Sequence, residues 1–484
     1  MNIKSISANI GKAMLINALF MLISVVISII YNFDSGFAPL LISCLVTALV
    51  GFFPLIFSQG ERHDSLKDGY VTIVLTWVLS FIFGMLPYVL WGGEFTLINA
   101  WFESVSGYTT TGSTILTDIE ALPHSLLFWR SSTHFIGGLG VIVFLLLILP
   151  ESSHMKRRLS QLELSLDTKN SFRHKGSKVT RIILSIYIGL TVTETLCLWA
   201  AGMSLFDAVN HAFSTVATGG FSTRNASIMH YDSPAINIII MVFMTLSAMH
   251  FGVIFAIFAQ RSLRPLMQSV TRYYLTVIAV ISIMIAFSLT FNGGYESFGK
   301  AMMASSFQTI SFLTTTGFGQ CDNAEWPILA NVLLIFASIH CGCSGSTTGG
   351  IKADRIYIAG KGLAREFRLK LSPSSVIRIK SGNTYISDEV ISAVFLYIVI
   401  YILVIFFSFT ALLICGTEMG DAFTGTVASL GNVGPGMGSL GTMGNYSMQS
   451  DIAKIIYTAD MFFGRVEIIP ILIVISMIFK KNRL

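Results

Sequence analysis

Thr109-Thr110-Thr111-Gly112-Ser113 has three counterparts further along the chain: Ala217-Thr218-Gly219-Gly220-Phe221, Thr314-Thr315-Thr316-Gly317-Phe318 and Asn432-Val433-Gly434-Pro435-Gly436. The glycines at 112, 219, 317 and 434 recur after 107, 98 and 117 residues, which leaves room each time for a helix, a short element and a second helix. Upstream of each turn runs a stretch of aromatic and small residues too short to cross a bilayer: Leu97 to Tyr108, Leu205 to Val216, Phe298 to Leu313 and Asp421 to Leu430. The pattern predicts four re-entrant half-helices, each entering a membrane and turning back. Acidic residues at Asp207, Glu296 and Asp421 suit their N-termini, so their C-terminal ends direct partial negative charge toward the middle of the membrane.

The composition around these turns fits the same reading. Of 484 residues, 53% are hydrophobic and only 12% charged, and the mean hydropathy is +0.71. A soluble enzyme, a disordered chain, a collagen and a disulfide scaffold are all excluded by that balance. The six cysteines offer no disulfide framework and are expected to be free. Ten runs long and apolar enough to span lie near 13 to 31, 38 to 58, 69 to 93, 131 to 150, 182 to 206, 235 to 260, 273 to 295, 327 to 351, 390 to 417 and 452 to 479. The first lacks a small-residue cleavage signature and is followed at once by a second, so it reads as a retained span. The fold expected is therefore an all-α polytopic membrane protein of ten transmembrane helices and four half-helices in a pseudo-fourfold arrangement resembling potassium channels. Two leading helices occupy 1–68, and pore repeats occupy 69–150, 178–262, 270–360 and 386–484.

Alternate loops hold 26 of the 31 lysines and arginines, which places those loops and both termini in the cytoplasm. The opposite loops carry 13 acidic residues against Arg130, Arg224 and Lys300, an outer face suited to concentrating cations. The net charge of +5 thus reflects orientation, and no nucleic-acid partner is implied.

Non-helical backbone at membrane depth survives only where protein buries it or water lines it. Four such turns can line one pore. Glycine lets successive carbonyls turn inward as ligands for a dehydrated ion, and threonine adds a hydroxyl at the same depth. Hard oxygen ligands without a carboxylate favour a weakly hydrated monovalent cation. The candidate ion-binding residues are Thr110, Thr111 and Gly112, then Ala217, Thr218 and Gly219, then Thr315, Thr316 and Gly317, and finally Asn432, Val433 and Gly434. No catalytic constellation accompanies them, and no cofactor is expected.

These turns, the run His340-Cys341-Gly342-Cys343-Ser344-Gly345-Ser346-Thr347-Thr348-Gly349-Gly350-Ile351-Lys352 and the run Met461-Phe462-Phe463-Gly464-Arg465-Val466-Glu467 resemble a TrkH/TrkG-type potassium uptake protein of the Trk/Ktr/HKT superfamily. The resemblance covers the whole chain. It implies potassium as the transported ion and four filter glycines that go with potassium selectivity, where a serine in the first loop marks sodium-preferring relatives. Gly112 holds that place here. The fourth loop departs from the Thr-Gly pattern but is similar to the fourth loop of TrkH-type members. The resemblance further implies a bacterial inner-membrane homodimer, one pore per subunit, gated with a cytosolic TrkA-type nucleotide-binding subunit.

Glycines and hydroxyl residues from 342 to 350 should break a helix in mid-membrane. The resemblance gives that segment the gate role, through Gly345, Ser346, Thr347, Thr348, Gly349, Gly350 and Lys352; a close-packed small-residue helix contact is the alternative. Arg465 either sits beneath the turns, opposing a cation or holding the loop carbonyls, or pairs with Asp460 or Glu467. Glu194 is a proton or sodium relay or an interhelical contact, and potassium symport with protons or sodium stays open as a second mechanism. His340, Cys341 and Cys343 lack structural-zinc spacing, and His134 and His250 read as packing residues. The basic linkers 151–181 and 352–380 are expected to face solvent or lipid headgroups, with docking of the regulatory subunit there as a further expectation.

Overall fold

A computed structural model describes residues 2–57, 65–148, 176–292, 294–382 and 384–481. Ile3–Ile30 and Phe37–Phe57 form a leading antiparallel pair. Two glycines let the pair close: a Cβ on Gly11 or Gly51 would sit 2.6 or 3.0 Å from the other's carbonyl oxygen. Asp34 then ties the pair to the next unit, accepting from the Ser28 hydroxyl at 2.6 Å and from the Ser125 amide at 3.0 Å. Burial raises this carboxyl, but donation from Ser125, Ser28 and Gly36 outweighs it and holds the group below its ordinary pKa.

Four units follow, each a long helix, a short helix and a returning helix. The short helices are Leu97–Tyr108, Leu205–Val216, Phe298–Leu313 and Met419–Gly431. The first three have the predicted bounds; the fourth extends beyond them at both ends. Side chains of Thr96, Ser204 and Ser297 cap the first three N-termini. Apolar residues such as Leu49, Phe53, Phe406 and Phe407 stay exposed on the outside, as a lipid-facing surface requires, while serines and threonines are buried along the inside. A two-stranded antiparallel hairpin pairs Lys380 with Tyr385 and Ser381 with Thr384, the one sheet among the described residues.

Six described helices are long and apolar enough to cross a membrane: Ile3–Ile30, Phe37–Ile56, Lys67–Trp91, Arg181–Ala200, Ser269–Phe291 and Asp388–Ile414. Three of the returning helices are broken: the one at 327–351 where its glycines and hydroxyl residues lead one to expect it, and those at 235–260 and 452–479 where the sequence reads as a continuous run. The run at 235–260 is Pro234–Ser247 and Phe251–Gln260, bent by 101°. The run at 327–351 is helical only over Ile328–His340, and the run at 452–479 divides into Asp451–Val466 and Ile468–Lys481 at Glu467, whose φ is +66°. Hydropathy records how apolar a run is and not whether its backbone is continuous. Two of the breaks satisfy each other: the Cys343 amide donates to Ala248 O at 2.9 Å and the Phe251 amide to Gly345 O at 3.1 Å. The linker 151–181 lies outside the described residues as far as 175.

Candidate functional site

Each short helix ends in the same local fold. In the first, the Thr110 amide donates to Gly107 O at 3.0 Å and the Thr111 amide to Ser106 O at 2.9 Å. Thr218 and Gly219, Thr315 and Thr316, and Asn432 and Val433 repeat the pair of bonds at 2.8–3.1 Å. This is the Schellman ending, in which one residue takes the left-handed conformation, a place that usually falls to glycine. Here it is held by Thr110, Thr218, Thr315 and Asn432 at φ +52°, +56°, +57° and +54°. A β-branched residue in that region costs about 1–3 kcal/mol, a strain that clusters at ligand-binding sites.

Two residues on, each chain passes through a glycine with positive φ: Gly112 at +82°, Gly220 at +83°, Gly317 at +76° and Gly434 at +98°. In the second turn this position belongs to Gly220, one residue later than the glycine spacing of the sequence suggests. Gly219 takes the place of Thr111, Thr316 and Val433, and Ala217 that of Thr109, Thr314 and Gly431. The four glycines close a ring. A Cβ on Gly112 would overlap the carbonyl oxygen of Gly219, one on Gly220 that of Thr316, one on Gly317 that of Val433, and one on Gly434 would press on that of Thr111. Each turn thus meets the next through a peptide oxygen, and the last meets the first. A cavity of about 150 Å³ opens above them, with all four glycines in its lining.

Residues 341–352 lie against the other side of the ring. The Thr347 hydroxyl donates to Val216 O at 3.1 Å, at the end of the second short helix, and the Gly349 amide to Thr315 Oγ1 at 3.4 Å in the third turn. A Cβ on Gly349 would collide with Asn432 of the fourth turn, and one on Gly350 with Cys341. Ser346 and Thr348 share a hydroxyl contact at 2.8 Å. Arg465, 3% exposed, donates to Thr347 O and, at 3.1 Å, to Gly137 O; Gly137 packs directly on Tyr108 O at the end of the first short helix. Among the described residues Arg465 pairs with no carboxylate, so of its alternatives the structure takes the carbonyl contact. Glu467 turns instead to Arg355 at 2.9 Å and Lys352 at 3.4 Å, fastening the end of the segment to the broken helix. Asp460 accepts from the Ser408 hydroxyl at 2.6 Å.

His340 contacts Cys341 O at 2.9 Å and the Tyr273 hydroxyl at 3.0 Å, and no group of three metal-ligating side chains forms among the described residues. His134 lies 2.9 Å from Ser214 Oγ and stacks on Phe221. The sequence reading missed Glu103 and Arg130, which it counted only as outer-loop charges. The structure pairs them at 2.7 Å with side-chain exposures of 0% and 1%. An arginine in a helix with no other lysine, arginine or carboxylate, 27 residues from a carboxylate in mid-helix, was the available signal.

Four units of helix, short helix and returning helix that meet in a ring, inside a shell of apolar helices, are the architecture of a polytopic membrane protein. A family model described as "TrkH: Cation transport protein" matches residues 40–484. The chain is 33% identical over 487 residues to the Trk system potassium uptake protein TrkH of Salmonella typhimurium, covering 100% of both, and 32% identical over 421 residues to TrkG of Escherichia coli K12, covering 86% of each. The crystal structure of the potassium transporter TrkH from Vibrio parahaemolyticus superposes with a TM-score of 0.88 at 31% identity over 98% of each chain. The chain belongs to the TrkH family of cation transport proteins.

Proposed function

We propose that this protein takes up potassium across the bacterial cytoplasmic membrane through a filter made of the four turns. The observation that carries the proposal is the closed ring, in which each positive-φ glycine faces a peptide oxygen of the next turn. Carbonyls of Thr111, Gly219, Thr316 and Val433 replace the water around a bare monovalent ion, and the four helix C-termini add partial negative charge beneath. Relatives named as potassium uptake proteins support potassium as that ion.

In this reading ten membrane crossings surround four half-helices, both termini are cytoplasmic by the distribution of positive charge, and the ring opens outward into the cavity. Residues 345–352 are the gate. They cross beneath three of the turns, and Arg465 closes the fourth side by holding Thr347 O and Gly137 O. Opening requires that this segment leave the ring, and the glycines at 345, 349 and 350 permit it. A TrkA-type cytosolic subunit binding nucleotide supplies the work of moving the gate, and the assembly is a homodimer with one pore per subunit. The helix Ala353–Leu371, which continues the gate segment and carries Arg368 and Lys370 in its last turn, is the natural lever for such a partner.

Radioactive rubidium uptake into proteoliposomes, with potassium and sodium as competitors, tests the reading. Potassium should compete and sodium should not; equal competition, or no uptake above empty liposomes, overturns it. Coupling to protons or sodium is a second reading, favoured by Glu194, which is fully buried in a membrane helix. Reversal potentials under opposed proton and potassium gradients separate the two.

A further inference from the structure

Nine residues before each positive-φ glycine, the short helices carry Glu103, His211, Gln308 and Gly425. Three of these side chains reach the returning segment of their own turn. Glu103 accepts from the Ile115 amide at 3.1 Å and the Thr114 hydroxyl at 3.0 Å, His211 Nε2 meets Ser222 Oγ at 3.0 Å, and Gln308 Nε2 donates to Cys321 O at 3.0 Å. Each is fully buried. The fourth position has no such side chain; there Tyr446 donates to Gly434 O at 3.1 Å instead.

The first of these supports differs from the rest because it is charged and because it reaches a second turn. Arg130 donates to Glu103 Oε1 at 2.7 Å, to Ser222 O at 3.3 Å and to Thr114 Oγ1 at 3.4 Å, and its guanidinium stacks 3.9 Å above the Phe221 ring. Phe221 follows Gly220 directly. The remaining neighbours are joined by neutral bonds: the Ile228 amide to Gly319 O at 3.0 Å between the second and third loops, Thr442 Oγ1 to Cys321 O at 2.9 Å between the third and fourth, and Ser113 Oγ to Gly434 O at 3.0 Å between the fourth and first.

We propose that the buried Glu103–Arg130 pair is a positioning device for ion selectivity, holding the first and second turns at a fixed separation so that their carbonyls fit one alkali ion and not a smaller one. This deepens the filter reading and rests on it. The planar fork of arginine holds one carboxylate and two neighbouring segments at once, which a lysine ammonium cannot do. A buried pair costs desolvation and is weak evidence for stability. Its placement behind two turns, and not elsewhere in the ring, is accounted for by geometry that must not relax.

The test compares rubidium uptake in proteoliposomes, with sodium as competitor, for the wild type, Arg130→Lys and the double variant Glu103→Gln/Arg130→Gln. The double variant removes both charges and so strands neither. The expected result for both is rubidium uptake that persists in folded protein while its preference over sodium falls about tenfold, the equivalent of one lost charged hydrogen bond. Wild-type preference retained in folded variants overturns the proposal. So does failure of both variants to give monodisperse protein, which would assign the pair to stability. A wild type without potassium-selective uptake would instead sink the filter reading itself.

Discussion

The first and third turns carry a ladder of hydroxyls that the second and fourth lack. In the first, Thr109 and Thr111 share a hydroxyl contact at 2.8 Å and Ser106 Oγ donates to Ser113 O at 2.6 Å; in the third, Thr314 and Thr316 do the same at 2.8 Å, and Ser311 donates to Phe318 O at 2.7 Å. In the second turn the matching residues are Ala217 and Gly219, and Ser214 is taken by His134. In the fourth they are Gly431 and Val433, and Asn432 Nδ2 donates to Thr111 Oγ1 at 3.1 Å and Met461 O at 2.8 Å. Yet all four backbones share the Schellman bonds and the two positive φ angles. What is common is the backbone conformation, so the proposed filter rests on the peptide oxygen and not on the hydroxyl as its ligand.

The largest effect should come from breaking the backbone at its shared point. Gly220→Ala places a methyl group against Thr316 O, a backbone atom that cannot move without the third turn, and should abolish rubidium uptake. Gly219→Ala meets the ring of His134, a side chain, so Gly219→Ala/His134→Ala should recover uptake that Gly220→Ala/His134→Ala does not. Equal rescue of both would return the second turn to the register suggested by glycine spacing. Next in size is Gly112→Ser, whose side chain meets Gly219 O; the preference for rubidium over sodium should fall by about tenfold or more, near 1.4 kcal/mol of differential binding. Unchanged competition by sodium would mean that the first turn is not part of the selective ring.

Below the ring, Arg465 touches both the proposed gate segment and the helix behind the first turn. Arg465→Ala frees Thr347 O and should raise uptake several-fold. A lower uptake in monodisperse protein would assign the arginine to stability instead.

Much of this was legible in the sequence, for reasons that can be named. The short helices Leu97–Tyr108, Leu205–Val216 and Phe298–Leu313 could be bounded because a short run of aromatic and small residues and the Gly turn that follows it are local signals. The register at Gly219 and Gly220 could not, since two adjacent glycines look alike until the carbonyl of Thr316, almost a hundred residues away, selects one. The break before Phe251 was hidden for the same reason: its amide partner is Gly345. Arg465 was recognised as a buried charge, but its second partner, Gly137 O, carries no sequence signal. Glu103 and Arg130 were visible as residues and invisible as a pair.

The smallest expected effect is the sharpest test of what the two kinds of turn have in common. Thr316→Val gives the third turn the side chain that the fourth already has at Val433, with nearly unchanged shape. It removes one neutral hydroxyl contact, to Thr314, worth about 1 kcal/mol at most to folding. If peptide oxygens select the ion, rubidium preference over sodium in liposome uptake should change by less than about threefold, well inside what one neutral hydrogen bond can contribute. If it falls as far as in Gly112→Ser, the threonine hydroxyls are ligands in their own right, and the first and third turns form a selective pair that the second and fourth only complete.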